Sequence, residues 1–505
     1  MKNIFGSYRY DLPASIVVFF VALPLCLGIA LASGAPLFAG IISGIVGGVV
    51  VGMLSGSPLG VSGPAAGLSV VVLGYIAALG GSWEAFLLAV VLTGIIQLMA
   101  GFLRLGTVAY YFPSSVIKGM LSGIGLIIIL KQIPHAIGYN ETFQNDVNFD
   151  KLESNSFELL RVLNYITPNA IIIAVISMLI LIVWEDVLAK KYKLFKAVPG
   201  PLVAVVAGII LSNFLYLEKS LIVQIPVATS FSGFFAQFTF PDFSQLRNLE
   251  VYSIALVMAV VASLETLLCV EATDKLDPQK RVTPTNRELK AQGVGNIISG
   301  LIGGLPITQV VVRSSANISF GAKSKLSAIS HGLLLLISAV AIPSLLNMIP
   351  LSTLACILLL VGYKLAKPDI FKKMYKLGYE QFVPFVATII GMLVFDLLKG
   401  VGVGMAAAIF FILYNNFRNS YQKVEDKEGK GHSHVIKLSE EVSFLNKGSI
   451  LQMLNQIPAE SKVVIDGTKS TSIHHDVIEI IEDFQTNAKT KNISLEIKGI
   501  NFKQI

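Results

Sequence analysis

Runs of about 20 apolar residues recur along this chain from Leu12 to Phe417. No other feature constrains its fold more, because a helix needs roughly that many residues to cross about 30 Å of hydrocarbon. With 54% hydrophobic and 14% charged residues and a mean hydropathy of +0.71, the chain is far more apolar than a soluble domain at about 25% charged. The first run, LPASIVVFFVALPLCLGIALAS, is too long for a signal-peptide core and leads straight into another span, so it reads as a first transmembrane helix. From about Tyr421 the composition turns polar and charged. The expected organisation is a transmembrane domain over 1–420, a linker over 421–432 and a soluble domain over 433–505.

The net charge of +7 becomes a topology signal once it is placed along the chain, which argues against a nucleic-acid partner. Basic clusters at Lys190–Lys196, Lys275–Lys290, Lys323–Lys325 and Lys364–Lys376 alternate with loops poor in base, among them the acidic segment NETFQNDVNFDKLESNSFELL. Lys and Arg in short loops mark the cytoplasmic side. With Lys2 and Arg9 at the start, both termini are expected in the cytoplasm of a multi-pass protein of the inner (plasma) membrane. Spans are expected at 12–32, 37–56, 83–103, 114–138, 168–188, 198–216, 251–272, 288–304, 325–346, 347–363, 378–398 and 400–417. Two further segments, 64–79 and 308–320, are too short or too polar to cross alone. Counted as half-spans, they bring the total to fourteen.

Those two broken segments are the informative ones. In GSPLGVSGPAAGLSV, Ser62 suits a helix N-cap and Pro64 a first helical position. In GGLPITQVVVRSSANIS, the residues Gly303, Gly304 and Pro306 play the same part. Each reads as an extended approach followed by a helix start. Non-helical backbone at membrane depth is tolerated only where protein or a water-filled cavity covers it. Two such breaks in corresponding halves point to a transport site at the midplane. Facing half-helix N-termini would present free N–H groups and partial positive charge, which is an anion trap. Arg313, taken to lie about one and a half turns into the second half-helix, adds a full charge. The octapeptides IISGIVGG (41–48) and IISGLIGG (297–304) lend weak support to an internal repeat, and the stripe Gly40, Gly44, Gly48, Gly52, Gly56 suits close helix approach.

Arg313 and Glu265 are the clearest charges within spans, whereas Glu271 and Asp274 lie near a span end. Intramembrane charges mark a pathway or a pair. Two readings stand side by side. The two residues neutralise one another, or Arg313 attracts an anion while Glu265 governs coupling and competes for Arg313 when ionised. Cys26, Cys269 and Cys356 lack metal-ligand spacing and read as packing residues, so no metal is expected.

The tail reads strand HVIKLSEEVSFLN, helix GSILQMLNQIP, strand KVVIDGTKS, helix IHHDVIEIIEDFQTNAK and strand NISLEIKG, an α/β pattern. Val477, Ile480, Ile481 and Phe484 suit one helix face, and His432, His434, His474 and His475 read as solvated surface.

The motifs DLPASIVVFFVALPLCLGIALASG, SGPAAGLSV, NRELKAQGVGNIISGLIGGLPIT and RSSAN, together with this tail, span about Asp11 to Ile497. Through them the chain resembles the SulP family of inorganic-anion transporters. The resemblance implies an α-helical polytopic membrane protein of fourteen segments in two inverted repeats of seven. Segments 1–4 and 8–11 form a core domain and segments 5–7 and 12–14 a gate domain, followed by a small α/β cytoplasmic STAS-like domain. Half-helices 3 and 10 hold the anion, and core moves against gate as an elevator. Mapped here, the substrate site is Ala65, Ala66, Gly67 and Leu68 with Ile307, Thr308 and Gln309. Arg313 matches the arginine of anion-exchanging relatives, and Glu265 the carboxylate linked to proton or sodium coupling. Sodium-coupled bicarbonate members carry Thr four residues after that carboxylate, where this chain has Cys269, which argues against sodium. His474, His475 and Asp476 stand where small STAS domains carry Ser or Thr, which argues against phosphorylation there.

The function expected is secondary active transport of sulfate, bicarbonate or a dicarboxylate. It would proceed as symport with H+ or Na+ or as anion exchange, with no other cofactor and with a homodimer as the assembly. An anion channel on the same fold and a nucleobase permease are the alternatives, although the latter is expected to lack Arg313 and the tail. The spans hold no Ser/His/Asp or metal-ligand constellation, which speaks against an enzyme.

Overall fold

The computed structural model describes residues 4–107, 112–138, 167–191, 195, 198–227, 237–395, 397–418, 421–426 and 433–500. The acidic segment 140–160, Lys2, Lys193, Lys196, His432 and the rest of the expected linker from 427 lie outside them. Among the described residues, helices occupy all fourteen expected segments. In the first half these are α1 (Tyr8–Ala32), α2 (Leu37–Leu54, with a π turn at Gly47–Val51), α3 (Ala66–Ala78), α4 (Trp83–Phe102), α5 (Ser114–Ala136), α6 (Pro168–Val183) and α7 (Gly200–Phe214). In the second half they are α8 (Leu249–Leu276), α9 (Thr285–Leu301), α10 (Val311–Ser319), α11 (Leu326–Ala341), α12 (Leu351–Leu365), α13 (Tyr379–Val394) and α14 (Leu397–Arg418). Five of them, α1, α2, α4, α5 and α8, are long and apolar enough to cross a bilayer unaided. By contrast α3 has 13 residues and α10 has 9, about 20 and 14 Å at 1.5 Å per residue. Neither can span alone.

The chain divides into two compact units, Met1–Lys373 with Thr388–Val401, and Met374–Ala387 with Gly402–Ile505. In the first unit α4 packs on α8 and α9, and α1 packs on α2 and α11. A second group is formed by α5 on α12, with α6 and α7 against each other and α12. These pairs fall within the expected core set (1–4 and 8–11) and gate set (5–7 and 12–14), and α5 against α12 joins the fifth helix of each half. The glycine stripe of α2 makes the core tight. A Cβ at Gly40 would lie 2.0 Å from the Cys26 carbonyl oxygen, and one at Gly48 would lie 2.6 Å from Gly332 Cα. The repeated octapeptides fall on α2 and α9, the second helix of each half, but mid-helix in one and at the helix end in the other.

The backbone breaks are solved by pairing. Ser62–Pro64 forms strand β1 and Ile307–Gln309 forms strand β2, joined antiparallel with Ser62 opposite Gln309, Gly63 opposite Thr308 and Pro64 opposite Ile307. Extended backbone in a membrane must find its hydrogen-bond partners in protein, and each break supplies them to the other. This corrects the expected helix starts. Ser62 is a strand residue rather than an N-cap, and α3 begins at Ala66 without a side-chain cap.

In the second unit β3 (Tyr421–Asp426), β4 (Ser433–Leu438), β5 (Lys462–Asp466) and β6 (Ser494–Lys498) form one sheet in that order. β3 runs antiparallel to β4, and the remaining pairs are parallel. With α15 (Lys447–Asn455) and α16 (His475–Thr490), the arrangement fits a small STAS-like domain. Val477, Ile480, Ile481 and Phe484 do face its core, with Ile436, Val463 and Ile465. The expected linker over 421–432 is overtaken by β3, because residues 421–426 are paired along their length with β4. His474 caps α16 by accepting from the Asp476 N–H at 3.3 Å.

Candidate functional site

The antiparallel strand pair sets the two half-helix N-termini at its opposite ends, α3 following Pro64 and α10 following Gln309. In α10 the first intrahelical bond is donated by Ser314 N–H to Val310 O at 3.0 Å. The amides of Val311, Val312 and Arg313 therefore have no helical acceptor. Arg313 is the third residue of the helix, within its first turn, not one and a half turns in.

The amides expected to be free, near Thr308 and Gln309, are largely committed. Ile307 N–H donates to Asn296 Oδ1 at 2.6 Å, while Asn296 Nδ2 donates back to Ile307 O at 3.1 Å. A side-chain amide thus stands in for a neighbouring strand. Asn296 is itself held by Gln97, whose Oε1 accepts at 2.7 Å and whose Nε2 reaches Ser263 Oγ at 3.2 Å. Gln309 N–H reaches Thr266 Oγ1 at 3.3 Å, and Val310 N–H donates to Val61 O at 2.9 Å. The amides without a helical acceptor begin at Val311, where the chain turns helical, because the strand geometry of 307–309 spends its polar groups on neighbours, and the Val311 N–H is taken by Cys269.

Opposed residues of an antiparallel pair share a face, so Gly63 and Thr308 look the same way. The Arg313 guanidinium covers that face, since a Cβ at Gly63 would lie 2.1 Å from Nη1. Arg313 is fully buried at 0% exposure. Its Nη2 donates to Cys26 Sγ at 3.4 Å, whereas Nε and Nη1 have no partner. Thr308 Oγ1 is likewise buried and unpartnered. His331, also buried, bonds Ala328 O through Nδ1 at 2.6 Å, leaves Nε2 unpartnered and lies within the field of Arg313. The opposite face is fastened, with Gln292 Nε2 donating to Ser62 Oγ at 2.8 Å and Gln309 Nε2 to Thr273 Oγ1 at 3.0 Å.

Glu265 does not pair with Arg313. Its carboxylate lies on Gly67 of the other half-helix, where a Cβ would come within 2.6 Å of Oε1. The Gly67 N–H is directed at it, and Oε2 has no partner. One turn on, the Val311 N–H is directed at the Cys269 thiol. So α8 presents a carboxylate to the N-terminus of α3 and a thiol to that of α10, and the neutralising ion pair is replaced by two separate contacts. Ala65, Leu68 and Pro64 line a crevice with Ile29, Ser33, Leu305 and Pro306 that is too narrow for a water. Ala66 is the first residue of α3.

Glu271 is exposed and pairs with Lys275 at 2.5 Å, and Asp274 accepts from Thr283 N–H and Oγ at 2.7 Å each. Both lie in the last turns of α8. The NREL motif anchors the first break, because buried Glu288 accepts from Ser55 Oγ at 2.5 Å, Gly56 N–H at 3.2 Å and Gln292 Nε2 at 2.9 Å. The basic loop at 323–325 is tied to α1, since Asp11 accepts from Lys323 N–H at 2.7 Å, Ser324 N–H at 3.0 Å and Ser324 Oγ at 2.6 Å.

Sequence reading missed Cys26, Gly63, Thr266 and His331 as site residues. Asn296 stood inside a recognised motif without a role. A buried Asn or Gln in a span is the one local signal that could have singled out Asn296 and Gln97, since such amides must find partners.

Two half-helices, a buried cation without a carboxylate partner and buried polar atoms without partners come together here. The sulfate permease family matches residues 8–388. The chain belongs to that family. It is 27% identical to YvdB of Bacillus subtilis (strain 168), a protein named for sulfate transport, over 410 residues, 81% of this chain and 74% of the relative. It is also 27% identical to the bicarbonate transporter BicA of Picosynechococcus sp. over 421 residues, 81% of this chain and 70% of the relative. The fold matches murine Solute Carrier 26 family member A9, an anion transporter solved in the inward-facing state, with TM-score 0.76 at 16% identity over 99% of this chain and 86% of that one. Members of this family are multi-pass membrane transporters rather than enzymes, and the relatives support anion transport in general.

Proposed function

We propose that this family member carries out secondary active transport of an inorganic oxyanion, sulfate or bicarbonate, by moving its core helices against the α5–α7 and α12 group. The observation that carries the reading is the shared face of β1 and β2, where Arg313 Nε, Arg313 Nη1 and Thr308 Oγ1 are buried together without partners. Unpartnered buried donors of this kind cost about 1–3 kcal/mol each, so a ligand that satisfies them binds with that energy in hand. The anion would lie between the amides of Val312 and Arg313 and the N-terminus of α3. Glu265, resting on Gly67, competes with it there and yields when protonated, which favours proton–anion symport. Cys269 supports the proton over sodium, because a thiol replaces a hard oxygen ligand one turn from the carboxylate. The alternation of basic loops supports cytoplasmic termini in the inner membrane.

The test is uptake into proteoliposomes of radiolabelled sulfate, bicarbonate and a dicarboxylate, each under imposed proton and sodium gradients, with current recording alongside. A proton gradient should drive saturable uptake of one oxyanion, and Arg313→Ala should abolish it while the protein stays monodisperse. Ohmic, non-saturating current would favour a channel instead.

A further inference from the structure

We propose that Cys26 is a positioning residue for Arg313, holding one edge of the guanidinium so that Nε and Nη1 stay free for the anion. The inference rests on the reading of Arg313 as the anion-attracting charge. Three observations carry it. Cys26 Sγ accepts from Arg313 Nη2 at 3.4 Å, in a setting where both groups are fully buried. The thiol cannot wander, because α2 packs against it closely: a Cβ at Gly44 would lie 2.6 Å from Sγ, and one at Gly40 would lie 2.0 Å from the Cys26 carbonyl. Phe19, Ala22 and Leu335 close the rest of its surroundings with apolar surface. The other two nitrogens of the guanidinium, Nε and Nη1, have no partner, and Nη1 lies over the strand face shared by Gly63 and Thr308.

The chemistry of sulfur explains why this residue type serves. A carboxylate at the same place would orient the guanidinium more strongly but would cancel the charge the anion needs. A methyl group would leave the guanidinium without this orienting contact and Nη2 without its partner as well. A thiol is a weak neutral acceptor that sets orientation and leaves the charge whole. Gly40 and Gly44 acquire a purpose beyond helix packing, since they fix the acceptor that aims the arginine.

Uptake of radiolabelled sulfate and bicarbonate into proteoliposomes, comparing Cys26→Ala, Cys26→Ser, Cys26→Asp and Arg313→Ala, separates the possibilities. Cys26→Ala should raise KM about three- to tenfold with maximal rate retained, the size of one neutral hydrogen bond. Cys26→Ser, which restores a neutral acceptor, should recover most of that loss, and Cys26→Asp should abolish uptake. Thermal melting in detergent reports folding for each variant. Equal KM in Cys26→Ala and wild type, or equal losses in the Ala and Ser variants, would assign Cys26 to packing and overturn the proposal. If Arg313→Ala itself leaves KM unchanged, it is the anion-site reading that fails.

Discussion

Gly63 and Arg313 occupy one another's space: a single Cβ on Gly63 would lie 2.1 Å from Nη1 of the arginine 250 positions later in the chain. The absence of a side chain on Gly63 leaves room for Nη1 to come down on the strand pair. Gly63→Ala should therefore push Arg313 off the face it covers and abolish anion uptake. Gly74→Ala, on α3 with open space around its Cα, should leave transport intact. Measuring both in the same vesicles distinguishes a local clash from a general intolerance of the segment.

Thr308→Val should move stability and binding in opposite directions. The hydroxyl is buried without a partner, so replacing it with an isosteric methyl removes a desolvation cost of about 1–3 kcal/mol. The melting temperature without substrate should rise, while KM for the oxyanion should increase. A variant that melts lower would show that the hydroxyl is satisfied in the resting protein.

Glu265→Gln places an uncharged amide on Gly67, where the carboxylate now rests. Competition with the anion at the start of α3 then no longer depends on protonation. Uptake measured from pH 5.5 to 8.0 should lose its pH dependence. A profile as steep as that of wild type would remove Glu265 from coupling.

Asn296→Ala deprives the buried Ile307 N–H and C=O of their partner at once. Two such orphans cost roughly 2 kcal/mol or more. A clear drop in melting temperature together with weakened uptake is expected. Unchanged melting would mean that the strand pair β1–β2 holds without its clamp.

Asp277 closes the α8–α9 turn by accepting from Arg281 Nε at 2.6 Å and Gln279 N–H at 2.9 Å. Burial alone would raise its carboxyl, but the bonds from Arg281 and Gln279 outweigh that and hold it below the usual range. A carboxyl depressed on folding lends stability that is fully present above its unfolded value of about 3.9 and is lost as pH falls through the lower folded value. Amide exchange at 279–281, corrected for intrinsic rate, should rise as pH drops below about 4. In Asp277→Asn it should be raised already at neutral pH. Equal protection in the two proteins at neutral pH would exclude the turn from depending on this charge.

How much of this was legible beforehand follows the range of the interactions. Hydropathy located twelve of the fourteen segments because a span needs only its own residues to be apolar; 64–79 and 308–320 were marked by their Gly and Pro breaks instead. Gly303, Gly304 and Pro306 marked the second break because these residues act on the backbone where they stand. The helix start was misplaced by a few residues, since a strand that exists only as a partner of another strand has no local signature. Ser62 and Pro64 satisfied the rules for a helix N-terminus, yet pairing with Gln309 and Ile307 drew them into a strand instead.

By itself the sequence determined the class of protein, the alternation of its loops, the two interrupted segments, the two intramembrane charges and the α/β tail. All of these are set by residues near in the chain. Only the tertiary structure decided which amides are open and which charge meets which partner. Ile307 and Gln309 give their amides to Asn296 and Thr266, Glu265 rests on Gly67, and Arg313 bonds a thiol 287 residues away. The reason is physical: in a low-dielectric interior every buried polar group must find a partner or await a ligand, and folding alone determines which groups come within reach.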